Sequence, residues 1–303
     1  MQTSSPAPHR AADVPGRRIV ELACSAPSVH NTQPWRWRVD GLRLELYADQ
    51  SRRLEVADPS GRNLVMSCGA ALHHARVAAA ALGYPAEVEY LPDPSSPSHL
   101  ATLRLTRGPR APTAVEDLAA LGQRTTDRRR FTSWPVPEER LAALASSVHL
   151  PGLQVVPLVD LTSRFRVELL VNRALDRQQG DERYTEEHQR WRTGPDDTTY
   201  EAHDLVESSD GLVVIGTDED DQRAWLLAGE ALSEMWLAAT VDGLSVVPLS
   251  QVIELQSTRE SLRHEVLGGL TVPQIITRIA WQEIGRSDLP RTPRRPLDEV
   301  LIS

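Results

Sequence analysis

The chain has 303 residues, of which 40% are hydrophobic and 25% charged, with a formal net charge of −9. That composition suits a folded globular protein with two modest cores or one large one, and the acidic balance without a basic face argues against nucleic acid as an obligate partner. The sequence contains no run of about 18 apolar residues, which excludes a transmembrane helix. The two cysteines, Cys24 and Cys68, make no disulfide framework, so a cytoplasmic protein with no membrane partner is expected. All 33 basic residues are arginine, which rules out any mechanism that needs a lysine.

Residues 1–18 are polar and proline-rich without an apolar signal core, and read as a disordered lead. A helical pattern follows, then the run Ala26-Pro27-Ser28-Val29-His30-Asn31-Thr32-Gln33-Pro34-Trp35. Short amide and hydroxyl side chains between prolines present backbone N–H groups in a fixed shape, which suits a flat polar heterocycle better than a metal or a nucleophile. His30 is placed to touch such a ligand or to be solvated. Two alternating segments, Trp35–Val39 and Leu42–Leu46, flank Asp40-Gly41, a hairpin signal.

Next comes a long helix with Val65, Cys68, Leu72, Ala75, Ala79 and Leu82 on one face. Adjacent His73 and His74 point to different sides of it and cannot chelate a metal together, and no metal site is expected. Strands are predicted at Glu87–Leu91 and Ala101–Thr106, and Gly108-Pro109-Arg110-Ala111-Pro112-Thr113 is the best linker. Beyond it, helices are predicted at Val115–Leu121, Glu138–Ser146, Ser163–Leu175, Asp221–Val241 and Ser257–Val266. Strands are predicted at Leu153–Val159, Leu212–Thr217, Leu244–Leu249 and Pro273–Trp281. The charged stretch of about 176–203 carries Tyr184, His188 and Trp191 at helical spacing, as in a helix that folds over something flat or packs on the nearest sheet.

The chain repeats itself. Shifted by about 160 residues, Asn63–Leu72 overlies Arg223–Leu232 and the match runs on to Gly83 over Gly243, where each helix would take a left-handed cap. Mid-helix Gly69 and Gly229 each cost about 1 kcal/mol of helix propensity, which close helix–helix approach would offset. The predicted fold class is α+β: two tandem units, each a mixed sheet covered by a long helix, at 19–107 and 114–303.

The run Pro27, Ser28, Asn31, Gln33, Pro34, Trp35 resembles the flavin-contact loop of the nitroreductase family of FMN enzymes. Arg124-Thr125-Thr126-Asp127-Arg128-Arg129-Arg130-Phe131 with Pro135–Glu139 resembles the family's basic phosphate-binding opening. Pro290-Arg291-Thr292-Pro293-Arg294-Arg295-Pro296-Leu297-Asp298-Glu299-Val300 resembles its closing motif, and Gly243–Ser250 the loop after the long helix. Together with the repeat, these make the chain similar to the Acg-type branch, in which two units are fused into an intramolecular pseudo-dimer with the 176–203 segment as a lid.

The resemblance implies one FMN, held by Pro27, Ser28, Asn31 and Gln33 from the first half and by Pro248, Leu249 and Ser250 from the second. Arg128, Arg129 and Arg295 are the first candidates for its phosphate, with Arg124 and Arg294 in reserve. Asp127 stands where the family has a serine, and would orient Arg128 or Arg130. Arg36 and Arg38 are the candidates for a charge near the reduced ring. The protein supplies no catalytic side chain of its own, since the cofactor would carry hydride from NAD(P)H to a small electron acceptor such as a nitro compound or quinone. The alternative is a protein that binds and sequesters flavin under its lid with little turnover. The fused pair is expected as a monomer or in a higher association.

Overall fold

Two apolar helices dominate the centre of the molecule, and the small residues on their facing sides determine how closely they meet. The computed structural model describes residues 15–127, 134–191, 211–281 and 292–302. In chain order the first elements are α1 (Gly16–Ala23), β1 (Trp35–Asp40), β2 (Arg43–Ala48), α2 (Arg62–Ala81), β3 (Ala86–Tyr90) and β4 (His99–Leu105). There follow α3 (Ala114–Gln123), α4 (Glu138–Ser146), β5 (Leu153–Pro157), α5 (Leu161–Gln179) and α6 (Glu182–Trp191). The last are β6 (Gly211–Thr217), α7 (Gln222–Val241), β7 (Leu244–Leu249), α8 (Gln251–Glu254), α9 (Gln256–Ser261), a π-helical turn at Leu262–Val266, β8 (Val272–Trp281) and α10 (Leu297–Val300).

Both long helices have 20 residues and are buried on nearly every side, which explains why neither shows a polar face. They cross at the glycines. A Cβ added at Gly69 would collide with the Leu226 carbonyl, and one at Gly229 with the Met66 carbonyl. The two collisions mirror each other under the sequence shift, as a pseudo-twofold axis through the crossing requires. His73 Nδ1 lies 2.9 Å from Ser233 Oγ, its own counterpart 160 residues on, so this pair marks the axis.

The two sheets share one topology, β1-β2-β4-β3 and β5-β6-β8-β7. The fold is α+β, built from two tandem units as the sequence implies. The sheets are antiparallel at every strand pair rather than mixed. Each helical crossover does join two strands that run the same way, β2 to β3 and β6 to β7, but β4 and β8 insert between them. Among the described residues the parallel element is a single bridge, Trp37 to Leu301. The first hairpin also differs by one residue: Asp40 pairs with Arg43, so the loop is Gly41-Leu42, with Gly41 at φ +55 supplying the left-handed turn.

One core lies between α1, α2 and the first sheet, with Trp35, Trp37, Leu72 and Leu103, and is closed by Val300 of α10. The second sheet is covered on both faces, by α4 and α7 on one and by α5 and α8 on the other. All seven residues of β6 are therefore buried, the continuous apolar run expected of a doubly covered strand. Helix α5 runs on to Gln179, past the expected end at Leu175, and one face carries Val167, Leu170, Val171 and Ala174 into this core, with Gln178 buried in the added turn. No helix of the described residues is long and apolar enough to cross a membrane.

Candidate functional site

The loop before β1 is wound tightly by its own polar side chains. Ser28 Oγ accepts from the Gln33 amide at 3.0 Å, and Thr32 Oγ1 donates to the Val29 carbonyl at 2.9 Å. A short 3-10 turn covers Val29–Asn31, and three residues without glycine's freedom take positive φ: His30 (44°), Asn31 (54°) and Gln33 (47°). Such conformations cost about 1–3 kcal/mol each and persist only where the surroundings over-determine them.

Those surroundings come from the far end of the chain. Asn31 Nδ2 donates to the Pro293 carbonyl at 3.1 Å, and Arg294 Nη1 donates to Asn31 Oδ1 at 3.2 Å. The Arg295 amide donates to Gln33 Oε1 at 2.8 Å, and its guanidinium to the Gln33 carbonyl at 3.2 Å. Arg52 binds the Thr32 carbonyl. The expected union of the first-half loop with the tail is therefore present, although Asn31 and Gln33 spend their side chains on it rather than on the cavity beside them.

That cavity has a volume of about 230 Å3. Pro27, Ser28 and Val29 line it from the first half, Val247, Pro248, Leu249 and Ser250 from the end of β7 in the second, and both α2 and α7 contribute to it. Met66, Ala70, Leu232, Trp236 and Ile275 make its interior apolar. Three lining amides keep one buried polar atom each without a protein partner: Asn63 Nδ2, Gln178 Oε1 and Gln251 Oε1. A buried polar atom left unpaired costs about 1–3 kcal/mol.

A cationic corner adjoins the cavity. Arg124 is 6% exposed, its guanidinium lies 4.7 Å from the Trp236 ring centre, and Thr126 two residues on lines the cavity. Arg124 and Arg294 both donate to the Ser25 carbonyl, at 3.3 and 3.2 Å. Among the described residues neither meets a carboxylate, and Arg124 Nε and Nη1 and Arg294 Nε have no partner. Burial, and then the neighbouring Arg294, push the Arg124 guanidinium down to about 9. It stays charged at neutral pH, and two like charges in a desolvated corner attract an anion. Arg295 is committed elsewhere: it pairs with Asp49 at 3.7 Å and Glu299 at 3.6 Å while bracing the loop. Arg128, Arg129 and Arg130 lie outside the described residues, as does whatever Asp127 would orient among them.

Helix α6 borders the cavity. Tyr184, Thr185 and His188 line it, and the His188 ring meets His30 edge-on at 4.5 Å. Trp191 instead lies under the Arg52 guanidinium at 5.0 Å, so the aromatic face expected of this helix is split between cavity and surface. Glu187 fastens α6 to the first half, accepting from the amides of Glu55, Val56 and Ala57 at 2.6 to 3.1 Å. Tyr184 Oη and Gln178 Nε2 both donate to Glu254, whose carboxyl burial pushes up. Residues 192–203 of the expected lid are outside the described residues.

Of the residues singled out from sequence, Pro27, Ser28, His30, Tyr184, His188, Pro248, Leu249 and Ser250 line the cavity. Arg36 and Arg38 do not; they pair with Asp49 and Glu45 on the first sheet. His73 and His74 are buried on hydroxyl partners, Ser233 and Ser25, and no group able to hold a metal occurs among the described residues. Sequence reasoning missed Asn63, Ser67, Gln178 and Gln251. Asn63 and Ser67 stand out only as polar residues on a helix that is otherwise apolar there, while the two glutamines carry no local signal.

No protein-family model matches the chain. A protein of Mycobacterium tuberculosis named "Putative NAD(P)H nitroreductase Rv3131" is 37% identical over 313 residues, covering 94% of this chain and 90% of that protein. "Putative NAD(P)H nitroreductase acg" of the same species is 32% identical over 326 residues, covering 94% of each. Among solved structures, a nitroreductase with bound FMN from Bacteroides fragilis aligns with a TM-score of 0.42 and 17% identity over 58% of this chain and 94% of its own.

Proposed function

The chain belongs to the nitroreductase family, and from that premise we propose that it is an FMN oxidoreductase that passes hydride from NAD(P)H to a small electron acceptor. The observation that carries this reading is the pairing of an apolar slot with a corner of two arginines that lack a carboxylate. A tricyclic ring with a phosphate tail supplies what both lack. Bound FMN would supply the two-electron chemistry.

The chain's own residues do the rest. Pro27, Ser28, Pro248, Leu249 and Ser250 line the slot, and the amide side chains of Asn63, Gln178 and Gln251 stand beside them. Arg124 and Arg294 take the phosphate in this reading, held in place by the Ser25 carbonyl and by Asn31. Arg295 and Gln33 keep the loop in its strained shape. Tyr184 and His188 of α6 cover the slot and exclude water.

The Glu187 clasp favours a second reading, in which the closed α6 leaves no room for an acceptor and the protein sequesters its flavin. A visible spectrum of the purified protein, taken anaerobically before and after NADPH and then NADH, separates the two. Flavin bleached by either nucleotide is expected. Flavin bound but not bleached would select sequestration, and no flavin after reconstitution with FMN would overturn both.

A further inference from the structure

Glu254 does not line the cavity, yet it joins two residues that do. It ends α8, and Gln178 Nε2 of α5 donates to its Oε2 at 2.7 Å while Tyr184 Oη of α6 donates to the same oxygen at 3.1 Å. The other carboxyl oxygen, Oε1, is buried without a partner, and so is Oε1 of Gln178. The amide and the carboxyl thus share one hydrogen bond, and each keeps a buried acceptor with no donor.

One proton resolves this. A carboxylic acid and a primary amide pair through two hydrogen bonds in a ring, amide N–H to acid carbonyl and acid O–H to amide carbonyl. Gln178 Nε2 to Glu254 Oε2 is the first of these. A proton on Glu254 Oε1, donated to Gln178 Oε1, is the second. An ionised Glu254 would instead be a desolvated charge with no cation on it.

The surrounding charges do not supply one. Arg62 at the start of α2 faces Glu254, but its Nη2 is bound to the Ile253 carbonyl at 2.9 Å, and Asp58 opposes its effect. Arg259 of α9 is paired with Asp220. From α5 comes the uncharged Gln178, and from α6 Tyr184 with Glu187 beyond it, held by the amides of residues 55–57. Burial accordingly pushes the Glu254 carboxyl up.

We infer that Glu254 carries a proton while α6 lies beside the cavity, and that α6 moves off when the proton leaves. Among the elements that meet at Glu254, α6 is the least anchored, for Glu187 is its one buried residue. Water that hydrates the carboxylate enters by displacing Tyr184, so the helix is a latch that rising pH opens. The sign follows from linkage. With α6 away, Glu254 titrates near the usual value of about 4.3. The proton's contribution to closure is complete below that value, declines as pH rises above it, and is gone above the raised value of the closed state. The latch does not depend on what the cavity holds.

Two measurements on the full chain test this. Glu254→Gln keeps the two-bond ring with Gln178 and cannot titrate. Infrared difference spectra at pH 6, unaltered chain minus Glu254→Gln, are expected to show the C=O band of a protonated carboxyl, shifted in heavy water. Absence of that band would overturn the inference. Hydrogen exchange, corrected for the intrinsic rate at each pH, needs no variant. Protection of the α6 amides is expected to fall by about tenfold per pH unit above pH 6 until the closed carboxyl itself ionises, while α7 stays protected. Level protection of α6 in the unaltered chain would overturn the inference even if the variant failed to fold, as would an equal fall in Glu254→Gln.

Discussion

The surroundings of Arg124 and Arg295 favour Arg124 as the phosphate candidate, the opposite of the order in which the sequence ranks them. Arg295 has Asp49, Glu299 and the Gln33 carbonyl around it, whereas Arg124 has an indole face, one carbonyl and Arg294. A buried cation without a carboxylate destabilises the apo fold, and an anion repays it. Arg124→Met is therefore expected to leave the apo protein as stable or more so. The same change should weaken FMN by about 1.5–3 kcal/mol, or roughly 10- to 150-fold in Kd. Riboflavin, which lacks the phosphate, is the control: titration should find its affinity nearly unchanged, and an equal loss for both ligands would place the arginine at the ring. Asn31→Ala removes the carbonyl oxygen that holds Arg294 and puts alanine at a φ of +54. Equilibrium dialysis is expected to show weaker FMN binding without loss of the fold, and unchanged binding would separate this loop from the phosphate. The loop itself was legible because prolines and short polar residues declare a fixed polar turn. Asn63, Gln178 and Gln251 were not, since a single amide says nothing until the fold buries one of its atoms.

Helices were the most legible elements, because a 3.6-residue apolar period survives any tertiary arrangement. The matching bounds of α2 and α7 follow from the repeat itself. The sheets were less so: strands were found, but the insertion of β4 and β8 between strands joined by a crossover depends on pairings distant in sequence. The glycines at the crossing make a prediction with a sign. Gly69→Ala would gain about 1 kcal/mol in an exposed helix, yet here its methyl meets the Leu226 carbonyl. Urea denaturation should instead show a loss of about 1–3 kcal/mol, the usual cost of overpacking. An increase in stability would mean that the helices do not touch there. Helix α6 carries its own test. Glu187→Gln removes the charge from a carboxyl that accepts from three successive amides, worth about 1.5–3 kcal/mol. Hydrogen exchange at Val56 and Ala57 should speed up while the amides of α7 keep their protection; unchanged exchange would show that the clasp does not hold α6 down.

At the scale of the molecule, a duplicated fold has become asymmetric in use. The two halves share sheet order and helix length, and one axis runs through both, yet one side of the crossing is a cavity and the other the hydrogen-bonded cluster of Arg76, Glu230 and Tyr90. The duplication was legible because small residues recur where backbones must touch. The asymmetry was not, since a glutamate at position 230 looks like any surface helix residue until the crossing buries it. The clamp of residues 292–302 on the loop at 27–35 also sets an order of events in time. Val300 fills the first core, the Ile302 amide donates to the Trp37 carbonyl, and Arg294 and Arg295 hold Asn31 and Gln33. During synthesis the first half leaves the ribosome long before those residues exist. Its loop must wait, without its cationic neighbours, until residues 292–302 have been made. Cofactor capture would then wait on residues 292–302, and a product cut short before residue 292 would lack the clamp that sets the site.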